Sequence, residues 1–325
     1  MNVGSLKRLV KRGFSSRWGW RLAGPLLRTP GVIVLTYHRI VGQDRSLAGV
    51  PVEIFTEQMR WLREHCDPIG PESLVERATH PTRARPAVLV TFDDGYRDLH
   101  DLAYPVLKKL DIPALVFLAT SFVDEGGMLW TDQVNWAVLS TRRERVKLPW
   151  SSEETIPLTD SRARTALGER ARAHLKILPD AKRRIELEAL LAELGEVPPR
   201  DRQMLSWDEV RATLDLVRYG GHTHTHPILS RLDRAEADRE IRTCKERILA
   251  ETGRTPTTFA YPNGRAADYT SETQDILRQN GFTLVFSSAE GIADRQSDWM
   301  AVKRLSGDAP DIPDFAWLAA GLSKT

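Results

Sequence analysis

Short apolar runs rich in β-branched residues alternate with longer stretches of helical periodicity along most of the chain. Residues 32–36, 87–92, 113–118, 216–219, 257–261, 282–286 and 300–305 predict seven strands. Between them, Phe55, Met59 and Leu62 fall on one helical face, and Ala237, Ile241, Cys244 and Ile248 do the same within a helix over 234–251 that Gly253 can end. Cys244 is therefore read as core. Ser206-Trp207-Asp208-Glu209 has the spacing of a capping box. Alternation of strand and helix implies mostly parallel strands, closed as a barrel or open and doubly wound. A barrel is the expected α/β form.

Residues 143–200 break this rhythm. Leu187, Leu190, Leu191 and Leu194 mark one amphipathic helix, closed by Gly195 and Pro198-Pro199, and 162–178 suggests another. This predicts a helical insertion within a domain spanning 31–325. It can shape a substrate cleft or contact a partner, although so many charges usually mean a solvated face.

Composition changes the picture little. Of 325 residues, 41% are hydrophobic and 28% charged, as in ordinary globular proteins. No stretch nears the 18 unbroken apolar residues of a membrane-spanning helix. Two cysteines, Cys66 and Cys244, make neither a disulfide framework nor a cysteine-based zinc motif.

Charge adds more. The net charge is +2, yet the first 28 residues carry seven basic side chains and no acid, which makes 1–30 a basic arm on a mildly acidic body. Leu9 and Val10 are followed at once by Lys11 and Arg12, so the arm lacks the apolar core of a cleavable secretory signal. A cytoplasmic location is expected. Leu6, Val10, Phe14, Trp18 and Leu22 recur every four residues, which allows peripheral membrane contact through 1–28. Gly13 and Ser15-Ser16 weaken such a helix, and packing on the body is the alternative. The single basic cluster has no nucleic-acid-binding fold around it, so no nucleic-acid partner is expected. Oligomeric state is not encoded in these patterns.

Two stretches carry chemistry. In "PAVLVTFDDGYRD" an apolar strand runs into Asp93-Asp94-Gly95, and the carboxyl end of a strand is where parallel α/β folds place their sites. Adjacent carboxylates repel when both ionise, so the pair wants a cation or donors beside it. One can bind a metal while the other works as a base. In "GGHTHTHPILS", a strand would place His222, His224 and His226 on one face, whereas a turn would bring only His222 and His226 together. Gly220-Gly221 should end the strand and Pro227 follows His226, which favours the pair and leaves His224 for support or solvent. Asp94, His222 and His226 then form a set suited to a divalent transition ion with open positions.

Together with "LTYHRI" before them and "FAYPNG" after, "TFDDG" and "HTHTH" resemble the polysaccharide deacetylase family, the NodB-homology carbohydrate esterases, over roughly residues 31–305. The resemblance implies a distorted (β/α) barrel whose metal serves hydrolysis of an N-acetyl group on a sugar, with Asp93 as general base and Asp94, His222 and His226 as ligands. Zn²⁺ is the expected ion, with Co²⁺, Ni²⁺, Mn²⁺ or Fe²⁺ as substitutes. No histidine follows His226, so the late acid of many members is missing. An early Tyr-His arrangement, similar to that of poly-N-acetylglucosamine deacetylases, makes His38 the expected acid. The "YPxG" wording implies that the Tyr261 backbone N–H meets the oxyanion. Arg304 is the candidate to orient the base, and Trp130, Pro262 and Trp299 are candidate substrate contacts. The implied partner is an N-acetylhexosamine glycan, free or lipid-linked. O-acetyl ester or small-amide hydrolysis on the same scaffold, or a binding module without turnover, are the competing readings.

Overall fold

The computed structural model describes residues 11, 13, 30–42, 49–81, 85–151, 155–196 and 202–322, in two compact units. The first joins the chain up to 124 with 205 onward. It is a closed barrel of seven parallel strands: β1 (Val32–Tyr37), β2 (Ala87–Phe92), β3 (Ala114–Leu118), β4 (Val217–Gly221), β5 (Thr258–Ala260), β6 (Leu284–Glu290) and β7 (Val302–Ser306). Each strand pairs with the next, and β1 closes the ring by pairing Val32 with Ala87 of β2 on one side and Leu35 with Leu305 of β7 on the other. Asp67–Pro68 adds a short edge to β2.

The apolar runs of β1, β2 and β3 are continuous because both faces of these strands are covered. Val32 and Val34 pack with Leu89, Leu115, Phe117 and Phe286, while their alternates Ile33 and Leu35 pack with Phe55, Met59 and Leu62 of α1 (Val52–His65). α2 (Arg234–Thr252) ends at Gly253, whose φ of 67° suits a residue without Cβ, and buries Ala237, Ile241, Cys244 and Ile248. Ser206 and Glu209 form the expected capping box.

The glycine pair departs from expectation. The expected strand stops at Tyr219, but β4 continues through Gly220 and Gly221, which pair opposite Phe117 and Leu118 of β3. Glycine is there for close packing: a Cβ on Gly220 would lie 2.5 Å from the Thr258 hydroxyl, and one on Gly221 2.8 Å from the Phe259 ring. β6 also runs beyond 286, to Glu290, and its register with β7 shifts between Phe286 and Glu290.

The second unit spans 125–204 and has its own core. Helices Trp130–Ser140, Ser161–Lys176 and Asp180–Leu194 pool Val134, Ala137, Leu167, Ala171, Leu187 and Leu190. The unit starts ahead of residue 143 because the first of these helices shares that core. Most of the basic arm, and with it the membrane-contact expectation for 1–28, lies outside the described residues. Lys11 is described, and its ammonium is 2.6 Å from Asp314 and 5.9 Å from the centre of the Trp317 ring on α3 (Ile312–Ala319). Among the described residues, no helix is long and apolar enough to cross a membrane.

Candidate active site

Parallel strands put their carboxyl ends at one mouth, and five loop-borne side chains and one strand-borne arginine gather there. His38 follows β1, Asp93 and Asp94 follow β2, and His222 follows β4. His226 comes round from the loop after β4, and Arg304 reaches in from β7.

Asp94 Oδ1 lies 3.3 Å from His222 Nε2 and 3.2 Å from His226 Nε2, and all three side chains are buried. The His222 Nδ1–H donates to the Ala260 carbonyl at 2.7 Å, which turns the Nε2 lone pair toward Asp94. One carboxylate and two imidazoles converging in this way fit a divalent transition ion and leave positions for water and substrate. Burial pushes the Asp94 carboxyl up, but bonds from His222 and His226 outweigh it and hold it well below the usual range. For His222, burial pushes down, but the bond it makes to Asp94, the negative charges of Asp93 and Asp94 and the bond to Ala260 together outweigh it, so its pKa is raised.

Left-handed backbone builds the convergence. Asp94 and Gly95 have φ of 74° and 86°, and Thr223 and His226 have 64° and 60°. Such conformations cost non-glycine residues about 1–3 kcal/mol each, and they persist only where neighbours hold them. Glu240 of α2 is one such holder. Its carboxylate accepts from the backbone N–H groups of His224 and Thr225 at 2.9 and 2.8 Å and from the Thr225 hydroxyl at 2.7 Å. His224 itself pairs its Nδ1 with the Thr120 hydroxyl at 2.9 Å, so it supports the loop. Glu240→Ala is expected to loosen this loop and weaken retention of an added divalent ion such as Zn²⁺ about tenfold, read by competition with a chromogenic chelator. Unchanged retention would show that the loop keeps its shape without the carboxylate.

Asp93 faces a different partner. The Arg304 guanidinium clamps it from both ends, Nη1 to Oδ1 at 2.7 Å and Nη2 to Oδ2 at 2.8 Å. Arg304 is fixed in turn, because its Nε donates at 2.9 Å to the carbonyl of Ser287, within the segment of β6 where the register shifts. Burial alone would raise the Asp93 carboxyl; the charge and bonds of Arg304 outweigh it, so Asp93 stays below its ordinary range and ionised. On the solvent side, His38 Nε2 is 3.9 Å from Asp93 Oδ2, with its side chain 56% exposed against 5% for Asp93. The chain just after His38 is pinned by Asp98, which accepts from the Ile40 N–H and from Arg39 Nε at 3.0 Å each.

The remaining expectations fare differently. The Tyr261 N–H is already bonded to the Phe286 carbonyl at 3.1 Å, as a rung of the β5–β6 ladder, so it is not a donor to an oxyanion. Its hydroxyl is buried on the Met300 carbonyl, and its ring stacks on Tyr269. Pro262 is buried, and its carbonyl accepts from Gly264 in a tight turn. Trp299 sits with Thr257, Thr258, Thr283 and Leu284, at the amino ends of β5 and β6, which is the opposite mouth from Asp93 and cannot flank a sugar there. Trp130 belongs to the helical unit, where Arg183 covers its ring at 5.3 Å. Glu240, Asp98 and Thr120 carry no recognisable spacing and are visible only in the fold.

With this geometry in hand, the profile described as polysaccharide deacetylase matches residues 80–285. A Bacillus subtilis (strain 168) chain that carries a polysaccharide-deacetylase name, YxkH, is 37% identical over 87 residues, 26% of this chain and 30% of that one. The poly-beta-1,6-N-acetyl-D-glucosamine N-deacetylase of Escherichia coli (strain K12) is 29% identical over 99 residues, 29% of this chain and 15% of that one. The alignments thus span less than a third of either curated relative. Among solved structures, the Streptococcus pyogenes deacetylase PplD superposes with a TM-score of 0.62 at 17% identity, over 91% of this chain and 100% of that one. IcaB from Ammonifex degensii gives 0.59 at 22%, over 90% and 98%. These two likenesses bear on fold alone, and they agree with the closed barrel. The family profile covers well over half of the chain, and it spans the adjacent carboxylates and both histidines of the candidate metal set: the protein belongs to the polysaccharide deacetylase family.

Proposed function

We propose that the protein is a divalent-metal-dependent hydrolase that removes N-acetyl groups from N-acetylglucosamine-type units of a glycan. The observation that carries this reading is an arginine-clamped carboxylate, adjacent in sequence to one member of a converging three-donor set and 3.9 Å from an exposed imidazole. Each of the three answers a difficulty of amide hydrolysis, whose carbonyl is a poor electrophile and whose amine anion is a poor leaving group.

Asp94, His222 and His226 would hold the ion, most simply zinc, which supplies Lewis acidity for an amide carbonyl and for water. Asp93 then takes the proton of the attacking water. Each of its oxygens keeps a lone pair beyond the bond to Arg304, and the guanidinium keeps the acceptor aimed. His38 stands on the open side of Asp93 and delivers a proton to the departing nitrogen. The products are acetate and a free amino sugar.

An O-acetyl ester needs no acid of this kind, because an alkoxide leaves more readily than an amide anion. The zinc-loaded chain is expected to release acetate from N-acetylglucosamine oligomers faster than from O-acetylated xylan oligomers. His38→Ala should lower kcat on the former by about 10²–10⁴-fold. Faster ester turnover, unaffected by His38→Ala, would favour the esterase reading; no acetate from either would favour a binding module.

A further inference from the structure

His38 opens onto a cavity of about 550 Å³ that the reaction just described does not fill. Its lining is apolar at Val50, Pro51, Ile54 and Ala309, and besides His38 its charged side chains are Arg39 and one carboxylate, Asp308. The loop bearing Asp308 is anchored on both sides. Gln58 Nε2 donates to the carbonyls of Gly307 at 3.0 Å and Ala309 at 3.1 Å, and Gln58 Oε1 accepts from the Tyr37 hydroxyl at 2.8 Å. A Cβ on Gly307 would stand 2.2 Å from the Tyr37 ring, so this backbone lies directly on the residue that precedes His38. Asp308 is thereby held in a set place relative to the reactive histidine.

The cations nearby are engaged elsewhere. Arg39 is bonded to Asp98, lies 4.5 Å from the Tyr96 ring centre and is 10% exposed, while Lys11 is paired with Asp314. Asp308 is exposed, its N–H is 3.3 Å from the Ser306 hydroxyl, and among the described residues no cation lies within ion-pair distance of its carboxylate.

We propose that Asp308 makes this cavity a subsite for a cationic sugar, the ammonium-bearing unit of a glycan that has already lost an acetyl group, adjoining the N-acetyl unit that reacts. The inference rests on the de-N-acetylase reading, because that reaction is what turns a neutral glycan cationic. A cavity of this size accepts a sugar ring. Its apolar lining suits the ring's C–H face, and the carboxylate suits the ammonium better than a neutral acetamide or hydroxyl. The enzyme would then act fastest beside its own product, and free amines would accumulate in blocks.

The test measures kcat/KM for acetate release by the zinc-loaded full chain on oligomers that differ only in the units flanking a single N-acetyl unit, which carry a free amine, a hydroxyl or an acetamide. The amine series is expected to exceed the hydroxyl series by roughly fivefold, through KM. Asp308→Asn should bring that ratio to about one, and Asp308→Glu should retain part of it. Equal wild-type rates on amine and hydroxyl series, or a preference that survives Asp308→Asn, would overturn the subsite while leaving the deacetylase standing. No acetate from any series would overturn the de-N-acetylase reading and the subsite with it.

Discussion

Asp93→Asn is expected to lower kcat for acetate release by about 10²–10⁴-fold while zinc content stays at the wild-type level. The substitution keeps the shape of the side chain and one carbonyl oxygen for Arg304, but it removes the charge that accepts a proton from water. Zinc content should hold because the proposed donors are Asp94, His222 and His226, and Asp93 is not among the converging set. Paired measurements of turnover and metal by mass spectrometry check this. Near-normal turnover at full metal content would mean that another group takes the proton; loss of metal would mean that Asp93 belongs to the ligand set.

Arg304→Gln should cost about 3–5 kcal/mol of stability, the largest effect expected outside the metal donors. The reason is burial: Arg304 and Asp93 are 3% and 5% exposed, so removing the guanidinium strands an ionised carboxylate away from water. The pair itself need not be worth that much, since taking two charges out of water is expensive. A double-mutant cycle separates the two quantities. If stranding is the cause, adding Asp93→Asn to Arg304→Gln restores most of the lost stability, read as the urea midpoint at constant slope. A single-mutant cost below about 1 kcal/mol would show that water reaches the carboxylate when the arginine is gone.

β1, β2 and β3 were legible because nearly every residue in them is buried and they are therefore written as apolar runs, whereas β4 and β7 carry Arg218, Lys303 and Arg304 within them. The glycine pair was misread for a physical reason: glycine marks both a strand's end and a place where neighbouring chains press close, and only the Thr258 hydroxyl and the Phe259 ring distinguish the two. His222 and His226 do meet, although the strand reaches one residue short of His222 and the turn comes from positive φ at Thr223 and His226. The donors carried on motif residues could be named from spacing. Backbone use could not: whether the Tyr261 N–H is free depends on the strand beside it, and sequence spacing is silent about a neighbour 25 residues away. Trp299 shows the same limit, since an aromatic residue near a strand says nothing about which mouth of the barrel it faces. Glu240 acts across a helix–loop contact that has no local signature.

The clamp on Asp93 also bears on how the barrel is made. Asp93 and Arg304 are 211 positions apart, and Arg304 sits on the strand that closes the ring against β1. A chain synthesised from its amino end completes β1, β2 and β3, with both carboxylates in place, long before β7 exists. Contacts so distant in sequence form late and slowly. Until they form, any compact species that buries the end of β2 holds an anion without its counter-charge, so the unfinished barrel is penalised and the finished one rewarded. The proposed base thus doubles as a checkpoint on assembly, favouring the fully closed topology over the near-complete barrels that could otherwise trap the chain.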